Sequence, residues 1–228
     1  MKILPITILI ALFTVTSTAI AIEQEGGIRL MLGAPTGEFG DAVDNPGIGG
    51  IGHYGLRPQP SLTFGAGLNF MIYGSETKDI SLPLVEDFEL NTSNNIAGGF
   101  LFAQWRPLTG AVQPYVEARV GLNYLWTESK LQDEDWWDDD DIASKTNFDD
   151  IAPFWSGGGG LLIQVSEGDE DDDITGVFLD FKATYLQGGQ AEYLTEGDIS
   201  IVNDVPVFEA SESETDLITY EIGVVLTF

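Results

Sequence analysis

Apolar side chains recur at every second position along most of this chain, a period that belongs to β-strands and not to amphipathic helices. In Tyr115–Trp126 the residues Val116, Ala118, Val120, Leu122, Tyr124 and Trp126 share one parity, and Glu117, Arg119, Gly121 and Asn123 hold the other. Leu62–Tyr73, Gly176–Leu186 and the closing stretch Ile218–Phe228 alternate in the same way, with Val225 the apolar exception in the last. Gly27–Gly33, Ile48–Leu56, Ile96–Trp105 and Phe154–Val165 follow the period more loosely because glycines blur it. Strand glycines mark bends or close backbone approach, which a small closed barrel needs at its corners. The pattern predicts eight strands, each about ten residues long.

The connections alternate as well. Short links at Arg57–Pro60, Arg106–Gln113 and Ser166–Asp173 are interleaved with long stretches at Ala34–Gly47, Ser75–Asn94, Glu128–Ala152 and Gln187–Asp216. Short turns at one end and long loops at the other are the asymmetry of bacterial outer-membrane barrels, and a soluble sandwich has no reason to alternate so strictly. The expected fold is all-β: an eight-stranded antiparallel up-and-down transmembrane β-barrel over residues 22–228, with four long acidic extracellular loops.

Alternation alone also fits a soluble barrel, whose apolar face lines the core. Three features place lipid on the apolar side. The minority parity is rich in glycine and small polar residues, as a cramped interior requires. Its charges balance, with Arg29, Arg119 and Lys182 facing Glu117, Asp180 and Glu221; interior charges must be paired, so these six are expected to form a lumen network. Aromatic residues gather at strand ends, as interfacial girdles do: Tyr73, Tyr115, Tyr124, Trp126, Trp155, Tyr185, Tyr220 and Phe228, of which Tyr73 and Tyr115 fall on the inward parity.

The chain carries 37 acidic and 9 basic side chains, a formal charge of −28. Nothing in it could neutralise phosphates, which excludes a nucleic-acid partner. The four long stretches hold 26 of the acids and Glu167–Asp173 holds 6 more, with Glu23 and Glu25 expected ahead of the first strand. The charge therefore belongs to the two aqueous ends of a nearly neutral barrel. The absence of cysteine removes disulfides, thiolate nucleophiles and thiolate zinc sites. At the start, Lys2, the 13-residue apolar run Ile3–Val15 and Ala19-Ile20-Ala21 have the form of a secretory signal peptide over residues 1–21. The run is too short for a spanning helix, which takes about 20 residues.

The last nine residues, Tyr220-Glu221-Ile222-Gly223-Val224-Val225-Leu226-Thr227-Phe228, put Tyr220, Ile222, Val224, Leu226 and Phe228 on one face and end on an aromatic. This stretch resembles the C-terminal assembly signal of outer-membrane β-barrel proteins. Gly33-Ala34-Pro35-Thr36-Gly37-Glu38-Phe39-Gly40 resembles the opening of the OmpA/OmpX-like small barrel-domain families. The resemblance implies a cell outer membrane of the Gram-negative type and recognition by the barrel-assembly machinery. Unlike OmpA itself, no peptidoglycan-binding domain is expected, because the barrel runs to the final residue. No activity is implied, since fold does not fix function.

Candidate chemistry is sparse. Asp133–Asp141 has seven carboxylates in nine residues around Trp136 and Trp137. Calcium takes six to eight oxygen ligands, so Asp133, Asp135, Asp138, Asp139, Asp140 and Asp141 could hold Ca²⁺ or Mg²⁺ and bridge the loop to lipopolysaccharide phosphates. The spacing is not that of an EF-hand, and the plainer reading is a solvated acidic loop. His53, the only histidine, lies on the inward parity without a G-x-S-x-G motif, which makes it a hydrogen-bonded lumen residue and leaves no catalytic residue or cofactor to assign. Ile199–Val202 and Val205–Phe208, flanking Asn203-Asp204, predict a projecting hairpin whose edge could pair with a partner strand.

The leading expectation is a monomeric, non-enzymatic outer-membrane protein in contact with lipid and lipopolysaccharide. Its role would be structural or surface-interactive, through acidic loops bridged by divalent cations. The alternatives are a narrow porin-like channel for small solutes and a secreted soluble β-barrel binding an apolar ligand.

Overall fold

The computed structural model describes residues 22–43, 45–80, 88–133, 143–168, 173–193, 199–202, 205–208 and 211–228, and the side chains of 22–43, 45–73, 93–127, 149–168, 173–193 and 211–228. In chain order the elements are β1 (Glu23–Pro35), α1 (Gly37–Ala42), β2 (Gly47–Gln59), β3 (Leu62–Ile80), β4 (Phe88–Trp105), β5 (Val112–Asp133), β6 (Ala143–Glu167), β7 (Gly176–Gly188), β8 (Gln190–Tyr193), β9 (Ile199–Val202), β10 (Val205–Phe208), β11 (Ser211–Glu214) and β12 (Leu217–Thr227). Strands β1 to β7 and β12 form one closed barrel in which each strand pairs antiparallel with its neighbours, and β12 returns to β1.

The period-two pattern sorts side chains as predicted. Ile28, Leu30 and Leu32 on β1, Leu68 on β3, Leu101 on β4, Val120 and Leu122 on β5, and Tyr220 and Ile222 on β12 all point outward and are exposed, Ile28 at 72%. Arg29, Glu117, Arg119, Asp180, Lys182 and Glu221 all point inward and are buried.

Three expectations are corrected. First, the strands are longer than the membrane needs: β5 has 22 residues and β6 has 25. Strands β3 to β6 stay paired beyond the level at which β2 begins, out to Ile80↔Phe88 between β3 and β4 and Leu131↔Ala143 between β5 and β6. Much of Ser75–Asn94 and Glu128–Ala152 is therefore ribbon and not loop. A ribbon clear of the bilayer has no buried face to impose alternation, so it leaves no period in the sequence.

Second, Glu23 and Glu25 lie within β1, and Glu25 is 1% exposed. Third, the strand glycines serve close approach and not a left-handed turn: among the described residues the positive-φ glycines are Gly37 (61°) and Gly110 (119°), both outside the strands, while a Cβ at Gly49, Gly65 or Gly158 would run into a neighbouring strand's backbone. Gly223 shows what such a glycine does. It is the Cα partner of Arg29 on one side and of Asp180 on the other. A Cβ there would lie 2.7 Å from Arg29 Cγ and overlap the Ile28 carbonyl oxygen. Its missing side chain is the space through which Arg29 crosses to Asp180.

The predicted hairpin is present, with β9 paired to β10, and a second ribbon pairs β8 with β11 on either side of it in the chain. The stretch 1–21 expected to be a signal peptide, Asp135, Asp138, Asp139, Asp140, Asp141, Trp136, Trp137 and Asn203-Asp204 lie outside the described residues, and Asp133 closes β5.

Candidate functional site: the lumen and its loop-end cap

The six predicted charges meet at mid-barrel. Arg29 Nε donates to Asp180 Oδ2 at 2.5 Å, and Tyr115 Oη donates to Asp180 Oδ1 at 2.6 Å. Arg119 makes a fork on Glu221, with Nη1 to Oε1 at 3.0 Å and Nη2 to Oε2 at 2.9 Å, while its Nε donates to Glu117 Oε1 at 2.6 Å. Lys182 Nζ donates to Glu117 Oε1 and lies 3.8 Å from Glu221 Oε2. Each carboxylate thus faces at least one cation, which is what interior charge demands. The Arg119 guanidinium also sits 4.7 Å from the Phe100 ring centroid. His53 packs its ring edgewise on Phe102 and holds Nδ1 3.2 Å from Arg29 Nη1, so it belongs to the network and not to a nucleophile–base pair.

A second buried pair, unforeseen, closes the short-turn end. Arg106 Nη2 donates to Glu25 Oε1 at 2.6 Å and to Oε2 at 2.5 Å, and Arg106 Nε donates to Gln104 Oε1 at 3.1 Å. Beside it Arg57 Nη1 donates to Glu23 Oε1 at 3.2 Å and Arg57 Nη2 to the Pro60 carbonyl at 2.6 Å. The signal was available: Glu25 shares the parity of Arg29, and Arg106 that of Gln104.

The loop end is closed by apolar packing. Phe39 on α1 is fully buried, with its ring 5.3 Å from that of Tyr73 and 5.1 Å from that of Tyr193, both edgewise. Tyr193 is fixed by a 2.7 Å hydrogen bond with Ser213 across β8 and β11. This cap merges with lumen residues Met31, Ile51, Met71, Ile96 and Leu217 into one apolar cluster. Gly189 N donates to the Pro153 carbonyl at 2.7 Å and Glu192 N to Asp150 Oδ2 at 3.0 Å, tying the last connection to β6. No sequence period announces Phe39, because a one-helix plug buries a single side chain.

Between cap and network the described side chains enclose a cavity of about 20 Å³. The inner face is therefore a packed, ionic core and the outer face an apolar belt on all eight strands, the reverse of a water-soluble barrel. The protein is an eight-stranded transmembrane β-barrel. Outward aromatics mark the ends of its belt: Phe70, Tyr124 and Trp126 form a ring-on-ring row at the loop end, and Tyr54, Trp105 and Phe228 lie toward the short-turn end. Tyr73 and Tyr115 are buried inside, as their parity indicated. Tyr220, Ile222, Val224 and Leu226 line the outward face of β12, the strand that seals the ring against β1, and Phe228 follows at its end.

No family model matches the sequence, and no match is found among curated proteins. Among solved structures the barrel is similar to Ail, the attachment invasion locus protein of Yersinia pestis, in complex with the heparin analogue sucrose octasulfate. That likeness has 12% identity, a TM-score of 0.45 and coverage of 92% of this chain and 100% of that one. It is also similar to the outer membrane protein OprG from Pseudomonas aeruginosa, with 13% identity, a TM-score of 0.43 and coverage of 91% and 95%. A major outer membrane protein from Thermus thermophilus matches at 11% identity, a TM-score of 0.42 and coverage of 90% and 99%.

At the loop end the described acids are exposed in numbers: Glu38 and Asp41 on α1, Asp149 on β6, Glu192 on β8, and Glu212 and Glu214 on β11. Glu192 and Glu212 are direct cross-strand partners between β8 and β11. Like charges placed directly opposite destabilise a ladder. Among the described residues no group of three or more acids or histidines is spaced to hold a metal ion.

Proposed function

We propose that the protein is a non-enzymatic outer-membrane barrel that works from its outer surface, with the lumen serving only as its structural core. The observation that carries this reading is the sealed interior: cap, ion network and the Arg106–Glu25 pair are stacked along the barrel, with a void of about 20 Å³ between cap and network. Among the described residues such packing leaves little room for a solute or an apolar ligand, which weighs against both the channel and the soluble-carrier alternatives. What remains for exchange with the surroundings is the acidic loop end. Its opposed carboxylates favour partners that bring positive charge, namely Ca²⁺ or Mg²⁺ and, through them, lipopolysaccharide phosphates. The signal peptide over residues 1–21 and the β12 face from Tyr220 to Phe228 would supply export and recognition by the barrel-assembly machinery, and the barrel would act as a monomer.

Two measurements test this. In planar bilayers the folded barrel should give no unit conductance steps; steady steps that change size in Glu221→Gln would overturn the sealed-core reading. Millimolar Ca²⁺ should raise the unfolding midpoint of the vesicle-embedded barrel more than NaCl at equal ionic strength. That excess should shrink in the Glu192→Gln/Glu212→Gln double variant, and an equal response to both salts would remove the cation from the proposal.

A further inference from the structure

The apolar belt is not smooth. On the outer face of β7, β12 and β1, and reaching Ile48 on β2, a groove of about 630 Å³ opens where small Ala183 follows Phe181 on alternate outward positions. The ladder builds its walls. Leu30, Ile222 and Phe181 are successive cross-strand partners on one side, and Leu32, Tyr220 and Ala183 are successive partners on the other. Lys182 and Glu221 contribute only the far side of their residues, because their charged ends are buried in the lumen network. The groove therefore presents apolar surface with one hydroxyl, that of Tyr220, at its edge. The row above it holds Tyr185, whose hydroxyl donates to Asp216 Oδ2 at 2.6 Å at the loop end, so the groove lies in the leaflet nearest the long loops.

From this geometry we infer a site for one acyl chain of an outer-leaflet lipid. Position names the occupant: the groove is continuous with the lipid-facing belt, and the medium at that depth is hydrocarbon. The volume falls in the range of small-molecule sites, about 300–1,000 Å³, far more than a single methyl group needs. A partner strand has nothing to pair with there, since β1, β12 and β7 are each hydrogen-bonded on both edges. A charged or polar ligand would find no partner beyond one tyrosine hydroxyl. The inference rests on the membrane reading of the barrel and adds a specific lipid contact to it.

Native mass spectrometry tests it, on barrel reconstituted in vesicles of equal parts lipopolysaccharide and phosphatidylethanolamine and then extracted in mild detergent. Wild type should retain one lipid per barrel, and the mass of the adduct identifies its source. Ala183→Phe, which fills the floor, should lower that occupancy at least tenfold, and the milder Ala183→Leu should lower it partly. Ala66→Phe, outward on β3 and away from the groove, should leave it unchanged. All four proteins should keep a heat-modifiable gel shift, the sign of a closed barrel. Equal retention in every protein, no retained lipid in wild type, or a second copy of the chain in place of lipid would each overturn the site. A barrel that floats with the vesicles but keeps no lipid overturns the groove alone. One that fails to float overturns the membrane reading and the groove together.

Discussion

At the scale of single residues, the interior is organised by which side chains are missing as much as by those present. Gly223 admits Arg29 to Asp180, and at Gly160 a Cβ would lie 2.5 Å from Tyr115 Oη, the hydroxyl that completes the same carboxylate's shell. Gly223→Ala should cost about 1–3 kcal/mol, the range for overpacking a filled interior, read as a lower urea midpoint for the barrel in lipid vesicles. The Arg106–Glu25 pair makes a sharper case. Arg106→Leu leaves a buried carboxylate unpaired and should destabilise by about 3–5 kcal/mol, whereas Glu25→Leu/Arg106→Leu should recover most of that loss, because an apolar pair needs no desolvated charge to be matched. A double variant as unstable as the single one would mean that the pair does more than neutralise itself. Parity alone placed Arg29, Glu117, Arg119, Asp180, Lys182 and Glu221 inside. Glu25 escaped because its strand begins earlier than the apolar pattern does.

At the scale of elements, the eight barrel strands are held by ladders closed on both edges, while α1, β8 and β11 are held by a few contacts on top of them. The cap should therefore open independently of the barrel. Phe39→Ala removes its buried anchor, a change that costs about 3–5 kcal/mol where the gap cannot collapse. Hydrogen exchange at the amides of Val43 and Gly189, bonded to Phe39 O at 2.9 Å and Pro153 O at 2.7 Å, should accelerate. Amides of β1 and β12 should hold their rates, and a uniform acceleration would show that cap and barrel are one cooperative unit. The strands themselves were legible wherever lipid and lumen take opposite faces. Their continuation to Ile80 and Asp133 was not, because pairing beyond the bilayer needs only backbone groups.

At the scale of the whole molecule, charge is separated by location. The network at mid-barrel balances three cations against three carboxylates. Outside it, described acids such as Glu38, Asp41, Glu192, Glu212 and Glu214 are exposed at the loop end. A molecule built this way should withstand loss of one lumen cation without becoming a pore, since the barrier has three tiers. Arg119→Ala should thus lower stability while bilayer recordings stay silent; conductance appearing in that variant would mean that Phe39 and Arg106 do not seal their ends.

The sequence by itself determined the number of barrel strands, their orientation and six of the charges that lie inside, because each follows from a period that a two-sided sheet imposes locally; which face meets lipid followed from the small residues and balanced charges of the inward parity. It could not determine that Arg29 takes Asp180, 151 positions away, that Arg106 reaches back to Glu25, or that Phe39 stoppers the mouth. Those pairings depend on which strands become neighbours when the sheet closes, and on a lumen narrow enough for side chains to reach across the strands that lie between them. Distance across a barrel is a property of the closed ring, and no stretch of chain carries it.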